Sequence, residues 1–193
     1  SDWVPLLRGS LIRRFQLLWK KDYWVKYGPW LAAPRDPKIF SAPTKIMVRQ
    51  TGDSIIATKI GSGYIARKNL HIILPQRIDQ DLNLVLGILN SKLIDFVYYN
   101  MNPEKGEALA EVKMKHIEAL PLPEFSKLTA DQTKVAKKIS ALVEEILKKQ
   151  DSSKNAALFD DELATINDLV FELFGLSKSE IKIIEKFCHA NRK

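Results

Sequence analysis

The sequence predicts an α+β protein: a compact β-rich domain with a helix at its edge, followed by an antiparallel helical hairpin. Three observations carry this. Short β-branched runs between glycine turns fill residues 45–74, the apolar period becomes helical at Leu82, and two long amphipathic stripes follow Thr129.

Lys45 to Arg49 (Lys-Ile-Met-Val-Arg) and Ser54 to Ile60 are the first two strand-like runs, with Thr51-Gly52-Asp53 as the turn between them. Tyr64 to Leu74 continues the pattern through Ile65, Leu70, Ile72 and Ile73, and Gly61-Ser62-Gly63 before it reads as a hairpin turn. Upstream, Pro29, Pro34, Pro37 and Pro43 break the chain into loop. Trp3, Trp19, Trp24 and Trp30 all fall within the first 30 residues, a density that predicts core or lid packing.

Leu82, Val85, Leu86, Leu89, Leu93, Phe96 and Val97 share one helical face. They predict a helix capped by Asp79 or Asp81 and stopped by Asn102-Pro103. Leu109 to Ile117 is a weaker helical piece. Leu120-Pro121-Leu122-Pro123 must be extended, because each proline disfavours helix at the residue before it. The capping box Thr129 to Gln132 opens a stripe of Val135, Ile139, Leu142, Val143, Ile146 and Leu147. After the turn-prone Asp151 to Asn155, a second stripe (Leu158, Leu163, Ile166, Leu169, Val170, Leu173) ends at Gly175. Another capping box, Ser177 to Glu180, opens a short helix through Ile181, Ile184 and Phe187.

Charge divides the chain. Residues 1–77 hold 14 Lys/Arg and 4 Asp/Glu, whereas residues 78–193 hold 16 and 19, so the basic excess lies wholly in the first part. A basic β-rich part joined to a near-neutral helical part suggests a polyanion for the former and a scaffold for the latter. Cys188 is the only cysteine, which excludes an internal disulfide and a Cys-based zinc site; three scattered histidines predict no metal site. A reducing, cytoplasmic setting fits, and no apolar run is long enough to span a bilayer. Ser1-Asp2-Trp3 does not read as a signal peptide; without a starting Met it reads as part of something longer.

Several short blocks occur in a telling order: Leu7-Arg8-Gly9-Ser10-Leu11-Ile12-Arg13-Arg14-Phe15, then Lys45 to Asp53, Asn69-Leu70-His71, Leu86-Gly87-Ile88-Leu89-Asn90-Ser91-Lys92 and Leu120 to Pro123. Together they resemble the TaqI-like C-terminal specificity domain of type IIG restriction enzymes and adenine-specific DNA methyltransferases. Leu11 stands where that pattern has Asp. The resemblance implies a DNA target-recognition domain over residues 1–125 and a helical hairpin for scaffolding or interaction over 126–193. It implies duplex DNA as partner, and a methyltransferase domain upstream in cis or in a partner subunit. That catalytic domain would use S-adenosylmethionine, and a fused nuclease would use Mg; no cofactor is expected in this segment.

The chemistry of the implied parent is absent from these residues. Asn102-Pro103-Glu104-Lys105 lacks the second proline and the aromatic that an adenine-methylating loop needs, and no Gly-rich strand-to-helix turn offers a cofactor site. Glu111-Val112-Lys113 with Asp95, and Glu180-Ile181-Lys182 with Asp168, loosely match a metal-dependent nuclease, but both fall in helical pattern. No catalytic or metal-ligating residue is therefore assigned.

Affinity for DNA should come from Lys and Arg on phosphates, and specificity from side chains at base edges. The candidates are Arg8, Arg13, Arg14, Lys38, Lys45, Arg49, Gln50, Thr51, Lys59, Arg67, Lys68 and Asn69. Arg reads guanine and Gln or Asn reads adenine, so Arg49, Gln50, Arg67 and Asn69 are the readout candidates; Arg49 and Asn69 could equally build the fold. Two rival readings are a specificity subunit like those of type I systems, with paired helices as spacer, and a nuclease using Asp95, Glu111 and Lys113.

Overall fold

The computed structural model describes residues 2–77, 80–102, 104, 110–150 and 159–191. Its strands are β1 (Trp3–Leu7), β2 (Ile12–Arg13), β3 (Gln16–Leu17), β4 (Trp24–Lys26), β5 (Thr44–Arg49), β6 (Ala57–Gly61), β7 (Ile65–Ala66) and β8 (Leu70–Ile73). Its helices are α1 (Pro37–Ser41), α2 (Leu82–Leu89), α3 (Lys92–Met101), α4 (Met114–Glu118), α5 (Ala130–Gln150), α6 (Asp160–Leu173) and α7 (Lys178–Ala190). The fold is α+β, and no helix among the described residues is long and apolar enough to cross a membrane.

β5 is the middle strand of an antiparallel sheet ordered β6-β5-β8. It is buried on both faces, which explains its unbroken Ile46-Met47-Val48 run. Ile46 and Val48 face a core shared with Ile55, Ala57 and α2. Met47 faces a second core with Leu7, Ile12, Ile60 and Leu70. A second sheet, β4-β1-β7, pairs β1 antiparallel with β4 and parallel with β7. β2 and β3 form a separate two-stranded ladder.

Several expectations are corrected. The helix expected from Leu82 to Val97 is two helices. Asn90 ends α2, and the Ser91 hydroxyl accepts from Ile94 N at 3.3 Å to cap α3. The apolar stripe runs through the break because both helices pack on one core. Asp81, one of the two expected caps, accepts from Asn83 N and Leu84 N; the other, Asp79, lies outside the described residues. Residues 110–113 are not helical: Glu111 bridges Thr51, and helix begins only at Met114. Gly61-Ser62-Gly63 is not a hairpin turn, since β6 and β7 belong to different sheets. The Pro-broken stretch holds one short helix, α1, with Pro37 in its first turn and Asp36 as cap. Trp3, Trp24 and Trp30 are exposed rather than core residues, at 55%, 45% and 66%.

Both capping boxes form, at Thr129/Gln132 and Ser177/Glu180. Gly175 takes the left-handed conformation (φ 66°) that ends α6. The polar turn at Asp151 to Asn155 and Leu158 lie outside the described residues. The antiparallel arrangement of α5 and α6 follows from their ends. Gln132 donates to Leu173 O at 3.2 Å near one end, and Lys149 meets Glu162 at 2.6 Å near the other. The helices share the core of the β-rich part: Ile139, Val143 and Ile166 pack with Val85, Leu86 and Ile88. Gly87 permits the close approach, because a Cβ there would come within 2.6 Å of Ile139 Cγ2. The final helix is 13 residues long rather than short, and it packs on α3.

Candidate nucleic-acid interface

The exposed end of β5 is held from both sides. Gln50 N donates to Asn69 O at 3.1 Å, and Val112 N donates to Gln50 O at 2.7 Å. Thr51 bridges Glu111, and Gly52 N donates to Ala110 O at 2.9 Å with a φ of 135° that disfavours any other residue. The Gln50 amide reaches Glu111 Oε2 at 3.4 Å. Thus residues 49–52 form a rigid rim, with Thr51 exposed.

Next to this rim lies the turn Gly9–Leu11. Gly9 N donates to Asn69 Oδ1 at 3.4 Å, and a Cβ on Gly9 would lie 3.4 Å from Arg49 Cγ. Arg8, Arg49 and Asn69 therefore converge at Gly9. The Arg8 guanidinium lies 4.1 Å over the Tyr23 ring and donates to its hydroxyl. Arg13 is exposed and, among the described residues, bonds to the carbonyls of Ser10 and Ile12. Arg13 reaches the carbonyl of Ser10, beside the Gly9 against which Arg49 packs; burial, then the charge of Arg13, pushes the Arg49 pKa down. Among the described residues no carboxylate pairs with Arg8, Arg13 or Arg49. The buried Nε atoms of Arg8 and Arg49 have no hydrogen-bond partner there. Three cations gathered without an anion, two with an unsatisfied buried donor, form a site that favours a negatively charged ligand.

Arg67 and Lys68 are exposed immediately before Asn69, and Arg67 N is fixed by Leu7 O at 2.9 Å. Six candidates thus meet at one rim (Arg8, Arg13, Arg49, Gln50, Thr51, Asn69), and Arg67 and Lys68 adjoin it along the chain.

Four candidates are placed elsewhere. Lys45 is fully buried on the inner face of β5, and its ammonium donates to the carbonyls of Phe40, Ala42 and Gly61 at 3.0, 3.4 and 2.6 Å. Its charge is consumed inside the fold, and burial lowers its pKa. Arg14 grips Asp95 through two bonds of 2.8 and 2.6 Å and donates to Asn90 O at 2.7 Å, bracing the β2–β3 turn against the α2–α3 junction. Burial raises the Asp95 pKa, while Arg14 opposes that rise. Lys59 is half-buried and bonds Asn83 of α2. Lys38 is exposed on α1, outside the contacts of the rim.

The nuclease constellation does not assemble. Although Glu111 to Lys113 is extended rather than helical, Asp95 is engaged by Arg14, Lys113 by Glu104, and Glu111 faces Gln50. Among the described residues no group of three or more His, Cys, Asp or Glu side chains could hold a metal ion. A cleft of about 650 Å³ lies between Arg14, Asp95, Lys92, Asn167 and Cys188. Among its polar groups, Lys92 meets Glu185 and Asn167 accepts from Lys92 N.

Trp3, Trp24 and Trp30 are exposed because aromatic density brings burial only where the polar residues around it do not form a surface, and Lys20, Lys21 and Lys26 interleave with these indoles.

No curated protein matches the chain. The model of one family, described as the TaqI-like C-terminal specificity domain, matches residues 4–122, which include all of β1 but its first residue, β2 to β8, the arginine rim and α1 to α4. The chain belongs to the TaqI-like C-terminal specificity domain family.

Proposed function

We propose that this chain reads DNA sequence for a restriction–modification enzyme, binding duplex DNA on behalf of an adenine-specific methyltransferase in cis or in a partner subunit. The observation that carries this reading is the cluster of Arg8, Arg13 and Arg49 around Gly9, with which no carboxylate among the described residues pairs, set beside the rigid rim Gln50-Thr51. Arg13, Arg67 and Lys68 meet phosphates, with Lys38 as an outlying contact. Arg49 and Gln50 stand nearest the base edges, and Asn69, tied to Gly9 N and Gln50 N, positions the rim. Methyl transfer, with S-adenosylmethionine, belongs to the catalytic domain, as does Mg where a nuclease is fused. The setting is the cytoplasm, where DNA of this kind is met.

The type I specificity-subunit reading needs helices that act as a spacer. The core shared by α2, α5 and α6 favours a helical part that belongs to the recognition fold.

The test is fluorescence anisotropy of a labelled duplex at several salt concentrations. Arg67→Glu with Lys68→Glu should abolish most binding, whereas Lys137→Glu with Lys138→Glu on the exposed face of α5 should leave it within about twofold. Equal losses from the two pairs would refute the assignment.

A further inference from the structure

The outer face of the β1–β4 ribbon carries features that duplex readout does not use. In its antiparallel register Trp3 lies opposite Lys26, and Pro5 opposite Trp24, so these four side chains share one face. The other face carries Val4 and Val25, which pack on the second core. Trp30 is tied to the end of the same ribbon: its Nε1 donates to Lys26 O at 3.1 Å. Trp24 Nε1 is likewise held, by Lys21 O at 2.9 Å, and the Trp24 ring is buttressed edge-on by Trp19, with centroids 5.2 Å apart. Both indoles are therefore oriented while remaining largely exposed.

Gly28 makes the seat for Trp30. A Cβ at that position would lie 2.2–2.5 Å from three atoms of the Trp30 ring, so the ring rests on bare backbone. Exposed Lys20, Lys21 and Lys26 surround the indoles; Asp2, itself exposed, meets Lys26 at 3.4 Å, and Asp22 accepts from Lys20 N at 3.4 Å. Oriented aromatic faces interleaved with lysines fit a ligand with both flat π-faces and regular negative charge. An apolar protein partner would not call for the lysines, and paired bases have their faces covered by their neighbours.

We infer that this ribbon is a stacking platform for unpaired nucleotides, with Trp24 and Trp30 stacking bases, Trp3 extending the surface and the lysines meeting phosphates. It goes beyond the duplex recognition proposed above.

The test titrates the whole chain with a fluorescein-labelled oligothymidylate, which cannot self-pair, alongside the labelled duplex. Oligothymidylate should bind and quench tryptophan emission. Trp30→Ala should weaken that binding by about tenfold, and Trp30→Phe should restore most of it. Gly28→Ala, which keeps every nucleotide-facing side chain but unseats the ring, should reproduce much of the Trp30→Ala loss. Duplex affinity should stay within twofold in each variant, and matched thermal melts establish that each remains folded. Oligothymidylate binding that is absent, or unchanged in both Trp30→Ala and Gly28→Ala, overturns the platform. Polyglutamate competing as well as oligothymidylate overturns it too, because charge alone would then suffice. If duplex binds and oligothymidylate does not, only this inference fails. If oligothymidylate binds through Trp30 and duplex does not bind, the duplex reading fails and the platform stands.

Discussion

Adjacent arginines should behave in opposite ways. Arg14→Ala removes both bonds to Asp95 and the one to Asn90 O, leaving a largely buried carboxylate without its cation. Breaking a fully buried pair costs about 3–5 kcal/mol. The two side chains are 29% and 20% exposed, so water recovers part of that and about 2 kcal/mol remains. For a chain of this size the melting temperature should fall by about 4–8 °C. The deficit should depend on pH with a definite sign. Burial raises the Asp95 pKa and Arg14 holds it down, so losing Arg14 raises it further. An acid whose folded pKa is raised binds more protons folded than unfolded, so stability falls as pH rises through that window. The Arg14→Ala deficit should therefore be largest at neutral pH and shrink on acidification toward the usual carboxylate range. Arg13→Ala, by contrast, should leave the melt within about 0.5 kcal/mol of wild type and flatten the salt dependence of DNA binding by about one unit. Calorimetry between pH 4.5 and 7.5, with anisotropy at low temperature, measures both. An Arg14→Ala protein that melts like wild type, or whose deficit grows toward low pH, refutes the brace. An Arg13→Ala protein with an unchanged salt slope refutes the phosphate contact.

Other substitutions probe the frame behind the interface. Lys45→Met keeps the bulk but strips the ammonium from three carbonyls. It should destabilise by about 2–4 kcal/mol in chemical denaturation while leaving the salt slope of DNA binding unchanged; a flattened slope would make Lys45 a DNA contact after all. Gly87→Ala presses a methyl into Ile139 and Val143 of α5, and should cost about 1–3 kcal/mol with a single cooperative transition, because both parts share one core. Two separate transitions in that variant would mean that the helical part folds independently.

The sequence made some of this legible and hid the rest for physical reasons. β5, β6 and β8 show plainly, because β-branched runs punctuated by Gly52 and Gly63 have few other structures open to them. β1 to β4 do not: Trp3–Leu7 contains a proline, and the other three are two or three residues long, too short to show a period. The break at Asn90-Ser91 was hidden because the apolar stripe continues across it. Lys45 looked like a surface cation because position alone cannot reveal that three carbonyls converge on it, whereas the exposed Trp3, Trp24 and Trp30 looked like core. At the interface, the block order brought out Arg8, Arg49 and Asn69 as candidates. That they meet at Gly9 is a long-range contact, and single-sequence pattern carries no such information.

If the rim around Gly9 reads duplex sequence, selection from a randomised duplex library at near-physiological salt, followed by sequencing of the bound fraction, shows it for wild type, Gln50→Ala and Arg49→Ala in parallel. Wild type should enrich one short motif, with preference at a single position relaxed in Gln50→Ala, by about 1–3 kcal/mol of discrimination. Bound duplexes with no enriched sequence, or a motif that Gln50→Ala and Arg49→Ala both leave intact, would contradict it.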